Sequence, residues 1–247
     1  MKRRLALSAA LVIVASACSS TFGMPAGGTE QGRDIADLWR FFFVAAIVVA
    51  AIVYGLIGWS VLRYRRRRDD DPEAFGRPLR ANVPLEIVYT TIPIVIVVVL
   101  FVLSARTEDR VDDLTGSPDL VVQAHAFSWG WRFSYPDLGV EVLSPPSTPG
   151  VPGPDLYLPQ GETIRIDLSS RDVIHAFWVP AFDFKRDAIP GHPTSFDLTP
   201  VELGAFRGVC AEFCGLNHAL MGFTVHVVTL QEFTTWIDQQ KQQGAIS

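Results

Sequence analysis

The sequence predicts two membrane-spanning helices followed by an all-β domain that ends in a short helix. Two apolar runs of more than 20 residues precede residue 106, and a helix needs about 20 residues to cross a bilayer. The rest of the chain is rich in short β-prone segments separated by turn residues. With 247 residues, 49% of them hydrophobic, the chain has room for one good-sized domain and a membrane anchor.

Residues 1–18 have the features of a secretory signal peptide. Three basic residues precede a short apolar segment, which small residues follow. Cys18 comes after Ala-Ser-Ala, a pattern that is compatible with lipoprotein processing and acylation of the thiol. The alternatives are an ordinary signal peptide cut near Ala17 and one that is left uncut.

The predicted transmembrane helices cover residues 38–62 and 84–105. Both are almost free of charged residues, apart from Arg40 near the start of the first and Glu86 near the start of the second. A helix is the form in which a single segment satisfies its own backbone polar groups in lipid. Aromatic residues stand near the ends of both runs, as is typical of membrane interfaces.

The connecting loop, residues 63–83, sets the predicted orientation. It carries seven arginines, and short loops rich in Lys and Arg lie on the cytoplasmic side of a membrane. A nucleic-acid-binding patch is the other interpretation of such a basic run. The position of the loop between two spans excludes it, so no nucleic-acid partner is expected. Residues 106–247 are therefore predicted to lie outside the cytoplasm.

The predicted exported domain, residues 106–247, is acidic and β-rich. It holds nine Lys and Arg against 18 Asp and Glu, a formal net charge of −9, which favours solubility or encounter with a basic partner. Alternating segments predict a β-sandwich or barrel. Residues 141–159 are expected to form an irregular Pro/Gly-rich loop, and residues 231–243 a helix. The predicted strands lie within residues 120–127, 128–135, 163–170, 172–179, 194–201, 204–213 and 222–230.

The stretch CAEFCGLNHALM brings four metal-binding side chains into twelve residues: Cys210, Cys214, His218 and Met221. Thiolates and thioethers are soft ligands and imidazole is intermediate, a set that suits copper. Two thiolates can each bridge two copper ions, and each ion then needs a terminal nitrogen ligand. A second histidine is therefore required, and the strand-like position of His175 makes it the favourite of four candidates.

Three other interpretations of this stretch are open. Cysteines in an exported domain can form a disulfide. Cysteine and histidine also bind zinc, although a methionine would be a poor fourth zinc ligand. Met221 can be a core residue beside a strand. The joint spacing of four ligand types favours copper.

The segments GVCAEFCGLNHALM and DVIHAFWVPAFDFKRDAIPG, together with the two spans, closely resemble subunit II of haem–copper cytochrome c oxidases. The resemblance covers roughly residues 35–240, and it implies a cupredoxin-like barrel that holds a binuclear copper A centre. It implies that two cysteines bridge the copper ions, two histidines are terminal ligands, and a methionine and a backbone carbonyl are weak axial ligands. These are, in that order, Cys210 and Cys214, His175 and His218, and Met221 with the carbonyl of Glu212.

The resemblance also implies roles for residues outside the copper ligands. The side chain of Glu212 would bind a magnesium or manganese ion at the interface with subunit I. In FSWGWRF, Trp129 would receive electrons from cytochrome c, with Trp131 beside it; without the copper motif both would be interpreted as core residues. Many relatives have His-Gln before that tryptophan, whereas this chain has Phe127 and Ser128.

Glu86 matches a glutamate at the cytoplasmic mouth of a proton-uptake channel into subunit I. An ionisable residue so close to a membrane span is a functional candidate. The alternative is that Glu86 only anchors the helix at the membrane interface.

The resemblance implies an electron-entry subunit of a proton-pumping oxidase in the cytoplasmic membrane. Cytochrome c, or a cytochrome c domain of another complex, would donate single electrons to copper A, which passes them to haem a of subunit I. Oxygen is reduced there, and the expected partners are subunits I and III and membrane lipid. The chain has no C-x-x-C-H haem-attachment motif, so the haem of the donor belongs to another protein.

Three related proteins are alternatives. A membrane-anchored copper chaperone also uses C-x-x-x-C and a distant histidine, but it places the cysteines early in a thioredoxin-like domain. A quinol-oxidase subunit II has the same fold without the copper ligands. Nitrous oxide reductase needs a large catalytic propeller, which nothing in this sequence supplies.

Overall fold

The structure, a computed structural model, describes residues 22–65, 81–144 and 149–244. The predicted signal peptide, with Cys18, and most of the arginine-rich loop fall outside these ranges. The chain divides into two compact units. One unit is Leu38–Arg106, and the other combines Met1–Asp37 with Thr107–Ser247.

Two long helices, α1 (Glu30–Arg63) and α2 (Val83–Asp112), contain the predicted spans. Both are long and apolar enough to cross a membrane. Large apolar side chains are exposed along them; Leu56 and Val97, for example, are 62% and 64% accessible. A continuous exposed apolar surface of this kind is typical of helices that face lipid or other membrane helices.

The second unit contains a β-sandwich of two five-stranded sheets. The strands are β1 (Leu120–Phe127), β2 (Gly130–Tyr135), β3 (Val140–Leu143), β4 (Asp155–Pro159), β5 (Ile164–Ser170), β6 (His175–Val179), β7 (Phe184–Ala188), β8 (Thr194–Leu198), β9 (Gly204–Cys210) and β10 (Gly222–Val228). One sheet has the order β3-β2-β1-β5-β8, and the other has the order β4-β10-β9-β6-β7. The β1–β5 and β4–β10 pairs are parallel, and the other described pairs are antiparallel.

The core of the sandwich is apolar and strongly aromatic. Buried residues alternate with less buried ones along β1 and β5, because successive side chains of a strand point to opposite faces. The ring centroid of Trp131 lies 5.3 Å from that of Phe223 and 6.0 Å from that of Phe177. These rings come from both sheets, and their burial holds the sheets together.

The structure confirms the predicted fold class, including the C-terminal helix, α3 (Leu230–Gly244). A capping box starts this helix: Thr229 N donates to Glu232 Oε2 at 2.9 Å, and Glu232 N donates to Thr229 Oγ1 at 3.3 Å. Phe233 and Ile237, one turn apart, are buried in the core. The helix therefore covers part of the apolar core of the β domain.

Three strands were not predicted, and one expectation about a loop was wrong. All seven predicted segments contain a strand, but β3 and β4 occupy the two ends of the expected irregular loop, and β7 follows the turn Pro180–Phe182. In β4, the buried Leu156 and Leu158 pair with β10 across the sheet. Pairing with a strand almost 70 residues later decides this conformation, and the local proline-rich composition gives no sign of it.

Residues 28–36 pack against the β domain, although the sequence places the start of that domain near residue 106. Gly28 N donates to Ala181 O at 2.8 Å, and Val201 N donates to Gly28 O at 2.9 Å. Thr29 is buried, and its Oγ1 accepts a hydrogen bond of 3.0 Å from Gly32 N. The first turn of α1 is thus fixed by the β domain.

Strands β6 and β9 bring distant parts of the sequence together. They run antiparallel, with Phe177 opposite Cys210. His175 begins β6, and Cys210 ends β9. The chain then turns through residues 211–221 and returns as β10.

Candidate metal centre

The loop between β9 and β10 is closed at its base by backbone hydrogen bonds. Cys210 N donates to Met221 O at 3.0 Å, and Ala211 N donates to Ala176 O of β6 at 3.2 Å. Gly215 has a φ of +113°, a conformation that favours glycine. The short 3-10 helix His218–Leu220 follows it and turns the chain back towards β10.

Six donor atoms of the predicted ligands converge in this loop and on β6. The sulfur atoms of Cys210 and Cys214 are 3.8 Å apart. Cys210 Sγ lies 3.8 Å from His175 Nδ1 and 3.3 Å from the carbonyl oxygen of Glu212. Cys214 Sγ lies 3.5 Å from His218 Nδ1 and 3.8 Å from Met221 Sδ.

The cluster is largely shielded from solvent. His175 is completely buried, and Cys210, Cys214 and Met221 are at most 6% exposed, whereas His218 is half-buried. A protected site of this kind strengthens electrostatic interactions with a bound ion. It also leaves one side, at His218, nearer to the surface.

Asp172 orients His175. Its Oδ1 accepts a hydrogen bond from His175 Nε2 at 2.9 Å, which turns Nδ1 towards the sulfur atoms. Its Oδ2 accepts a hydrogen bond from Ser128 N at 2.7 Å. Burial opposes ionisation, but the hydrogen bonds from His175 and Ser128 prevail and lower the pKa of Asp172 to about 2. Burial also disfavours a charged His175, yet its contacts with Cys210 and Asp172 raise its pKa above the ordinary value.

The two thiols differ in how readily they lose a proton. Burial would raise the pKa of Cys210, but hydrogen bonds to His175 and to the backbone of Ala176 lower that pKa to about 6. Burial and the neighbouring Cys210 raise the pKa of Cys214. One thiolate therefore forms more readily than the other, and a bound cation would favour the second, because two negative charges this close repel each other.

Glu212 points its backbone and its side chain to different partners. The carbonyl oxygen contacts Cys210, as described above, while Oε1 accepts a hydrogen bond from Lys185 Nζ at 2.8 Å. Lys185 also lies 3.3 Å from Asp187. The carboxylate at the predicted magnesium or manganese position is thus paired with a lysine in this structure.

Trp129, the predicted electron-entry residue, and Trp131, predicted to lie beside it, have different environments. Trp129 is half-buried, and its Nε1 donates a hydrogen bond of 2.9 Å to the carbonyl oxygen of Cys214. A Cβ at Gly215 would lie 3.1 Å from the Trp129 ring, so glycine lets the loop and the indole approach closely. Trp131 is completely buried in the aromatic core. Of these two tryptophans, Trp129 is the one with a hydrogen bond to the cysteine loop.

The remaining predicted site residue, Glu86, belongs to the other unit. Its Oε1 accepts a hydrogen bond from Asn82 N at 3.0 Å, and Asn82 Oδ1 accepts one from Leu85 N at 3.3 Å. These contacts cap the start of α2. The other three histidines, His125, His192 and His226, are not part of the sulfur cluster.

Sequence reasoning missed Asp172 and Lys185 as neighbours of the site. Asp172 lies three residues before His175 in the loop that leads into β6, and that spacing was an available signal for a carboxylate–histidine pair. Lys185 lies on β7, and only the pairing of β6 with β7 and β9 places it near Glu212.

The donor set fits a pair of copper ions. Both cysteines are free thiols, and their sulfur atoms are 3.8 Å apart, much farther than the roughly 2.05 Å of a disulfide bond. A structural zinc site takes four ligands and has no use for a thioether. Two thiolates, two imidazoles, a thioether and a carbonyl oxygen provide enough donors for two copper ions, and most of these donors are soft or intermediate.

Two family models match the chain. The model described as the transmembrane domain of cytochrome c oxidase subunit II matches residues 17–106. The model described as the periplasmic domain of the same subunit matches residues 153–228, which contain all the clustered ligands.

Similar proteins carry the same description. The probable cytochrome c oxidase subunit 2 of Streptomyces avermitilis is 37% identical over 289 residues, and the match covers 99% of this chain and 89% of the relative. Cytochrome c oxidase subunit 2 of Mycobacterium tuberculosis is 31% identical over 301 residues, with coverages of 96% and 82%. Among solved structures, the periplasmic domain of subunit II of cytochrome oxidase (CoxB) of Bradyrhizobium japonicum is 34% identical, with a TM-score of 0.47; the match covers 53% of this chain and 99% of that one.

Proposed function

The chain belongs to the cytochrome c oxidase subunit II family, and we propose that it is the electron-entry subunit of a proton-pumping haem–copper oxidase. In this proposal it receives single electrons from a cytochrome c at a copper A centre and passes them to haem a of subunit I, where oxygen is reduced to water. The convergence of two thiols, two imidazoles, a thioether and a carbonyl oxygen carries the proposal. Bound copper A would supply a one-electron carrier whose charge is shared between two ions.

The proposed ligand roles follow from which atom contacts which. Cys210 and Cys214 would both hold the copper ions through their thiolates; each sulfur contacts the other and one histidine. His175 and His218 would bind copper through Nδ1, the ring nitrogen that faces a cysteine sulfur in each case. Met221 Sδ and the Glu212 carbonyl oxygen would be the weaker further ligands; the first contacts Cys214 Sγ and the second contacts Cys210 Sγ.

The chain's own residues hold this ligand set rigid. Asp172 fixes the ring of His175 and keeps a proton on Nε2, so that Nδ1 remains free for metal. The hydrogen bonds at the base of the loop fix Cys210 and Met221 relative to each other. A rigid, buried site changes little when a single electron arrives or leaves, which keeps the energetic cost of rearrangement small.

Trp129 is the proposed electron-entry residue. Its indole is half-buried, and its N–H reaches the backbone of a cysteine ligand. Cytochrome c, or a cytochrome c domain of another complex, would dock on this side. Trp131 has a structural role: its ring lies in the core and anchors β2, the strand that follows Trp129.

The remaining roles concern the assembled oxidase in the cytoplasmic membrane. Both helices span the membrane as a multi-pass anchor in contact with lipid, and the β domain lies on the extracytoplasmic side. The Glu212 carboxylate, which here contacts Lys185, would hold a magnesium or manganese ion at the interface with subunit I. Glu86 lies at the mouth of a proton-uptake channel of subunit I, in addition to capping its own helix. Subunit III is the further expected partner.

The test uses the full-length chain in detergent, reconstituted with copper. We expect two copper ions per chain in metal analysis and one unpaired electron shared between them in electron paramagnetic resonance. Cys214→Ser and His218→Gln should lose this spectrum, whereas His226→Gln, a histidine paired with Asp155 on β10, should keep it. A single copper ion per chain, or an unchanged spectrum in Cys214→Ser, would contradict the proposal. Uptake of one copper would indicate the copper-chaperone alternative.

A further inference from the structure

A cavity of about 300 Å³ lies beside the segment that leads to Trp129. It opens on the outer face of the sheet, where β2, β1 and the end of β5 lie side by side. A volume of this size is at the lower end of the range of small-molecule sites. The polar and aromatic residues that line it are His125, Phe127, Arg132, Ser169, Ser170 and Arg171.

The sheet register fixes the position of three of these polar side chains. His125 is opposite Arg132 on β2 and opposite Ser169 on β5. His125 Nδ1 lies 2.5 Å from Ser169 Oγ. An imidazole, a hydroxyl and a guanidinium therefore form one row across three strands.

The two arginines are not fully satisfied by the protein. Arg132 faces Glu141 at 3.5 Å, but its buried Nε has no hydrogen-bond partner in the described structure. Arg171 is exposed, and it forms no ion pair with any residue in the described ranges. Among the described residues no carboxylate lines the cavity, although residues 106–247 together carry a net charge of −9. Asp172, the next carboxylate along the chain, is already bound to His175 and Ser128.

We propose that this cavity binds a small oxyanion of the phosphate class. Guanidinium groups present several N–H donors in a planar fork that matches the oxygens of such an anion. His125 and Ser169 add one donor beside them, because their mutual hydrogen bond leaves either the imidazole Nε2–H or the serine hydroxyl free to donate. The volume is sufficient for inorganic phosphate and for the larger pyrophosphate.

The position of the cavity allows a bound anion to influence electron entry. This influence rests on the proposed function, whereas the binding of the anion does not. Phe127 is followed by Ser128 and Trp129, and Arg171 is followed by Asp172. Ser128 N and Asp172 Oδ2 join these two segments at 2.7 Å, and Arg171 N donates to Ala126 O at 3.0 Å. An anion bound between these two segments acts on the backbone that leads to Trp129 and on the segment that holds Asp172, the hydrogen-bond partner of His175.

The binding test uses calorimetric titration of inorganic phosphate, and separately pyrophosphate, into the copper-free full-length chain at constant ionic strength. We expect saturable binding at one site per chain. Arg171→Gln and Arg132→Gln should each weaken it about tenfold, the effect expected when one charge-assisted contact is lost. Arg207→Gln, a control that removes the same charge from an exposed position on β9, should leave the affinity unchanged.

The outcomes separate this proposal from the copper function, because no copper is present in the binding test. Absence of saturable phosphate binding to the wild-type chain would overturn the proposal. A loss of affinity in Arg207→Gln equal to that in Arg171→Gln would also overturn it. If Arg171→Gln instead changed the rate with cytochrome c while phosphate did not bind, the cavity would be a docking site for a protein carboxylate. In the intact oxidase, saturating phosphate should change the rate with cytochrome c, and Arg171→Gln should remove that dependence; an unchanged wild-type rate would overturn the influence on electron entry.

Discussion

Asp172 Oδ1 lies 2.9 Å from His175 Nε2, and this hydrogen bond directs the other ring nitrogen of His175 towards Cys210. The carboxylate holds the imidazole in one orientation and one tautomer before any metal binds. Part of the proposed metal centre is therefore built into the loop that precedes β6.

Asp172→Asn should remove a pH-dependent part of the stability of the copper-free chain. The pKa of Asp172 falls from 3.8 to about 2 on folding, so its contribution is present above the unfolded value and is lost as the pH falls from about 4 to 2. The shift corresponds to about 2 kcal/mol at most. The side chain is 35% exposed, so solvent screening reduces this to about 1 kcal/mol. Thermal unfolding followed by near-ultraviolet circular dichroism at pH 5 and pH 2.5 measures it; an identical acid-induced loss in wild type and Asp172→Asn would contradict the assignment.

Trp129→Phe should slow electron entry without removing copper. The variant keeps an aromatic ring but loses the N–H that donates to the Cys214 carbonyl, at a cost to stability of about 1 kcal/mol. Stopped-flow reduction by cytochrome c in the assembled oxidase measures the rate, and metal analysis checks the copper content.

Trp131→Phe is the matched comparison for Trp129→Phe. Its indole N–H has no hydrogen-bond partner within the described residues, so the variant mainly leaves unfilled volume in the core and costs about 2 kcal/mol. Electron entry should stay close to the wild-type rate. If Trp131→Phe slowed the reaction as much as Trp129→Phe, the special role of Trp129 would be wrong.

Met221→Leu should separate packing from metal binding. Met221 is only 1% exposed, and a leucine of similar volume should change the free energy of unfolding by less than about 1.5 kcal/mol. The loss of the thioether should nevertheless shift the reduction potential of the copper-loaded chain, as measured by redox titration. Leu156→Met, the reverse exchange at a buried core position on β4, should leave that potential unchanged; equal potentials in all three proteins would exclude Met221 as a ligand.

Gly32→Ala should loosen the start of α1 from the β domain. A Cβ at this position would lie 2.3 Å from the carbonyl oxygen of Phe182, and backbone can move away only at a cost of about 2 to 3 kcal/mol. Gly58→Ala on the same helix has nothing within 4 Å of the added carbon, so it should be tolerated. Limited proteolysis near residue 30 distinguishes the two, and equal resistance in both variants would show that this contact is dispensable.

Local patterns were sufficient to predict the elements whose sequence carries their own signal. Two long apolar runs predict two helices, because the length of a membrane-spanning helix can be recognised from its own apolar sequence. Seven strands and the C-terminal helix were predicted from alternation and composition. The proline-rich segment before residue 160 misled the prediction, because β4 exists through its pairing with β10.

Sequence alone determined which metal-binding side chains this protein offers, since two cysteines, a histidine and a methionine are spaced along one loop. Only the tertiary structure brought His175 to them, because β6 and β9 are neighbours in a sheet although 35 residues separate His175 from Cys210. It also decided that Asp172 supports this histidine, that Trp129 rather than Trp131 contacts the loop, and that residues 28–36 belong to the β domain. Chemical identity is carried by single residues, whereas proximity depends on long-range pairing that no local pattern encodes.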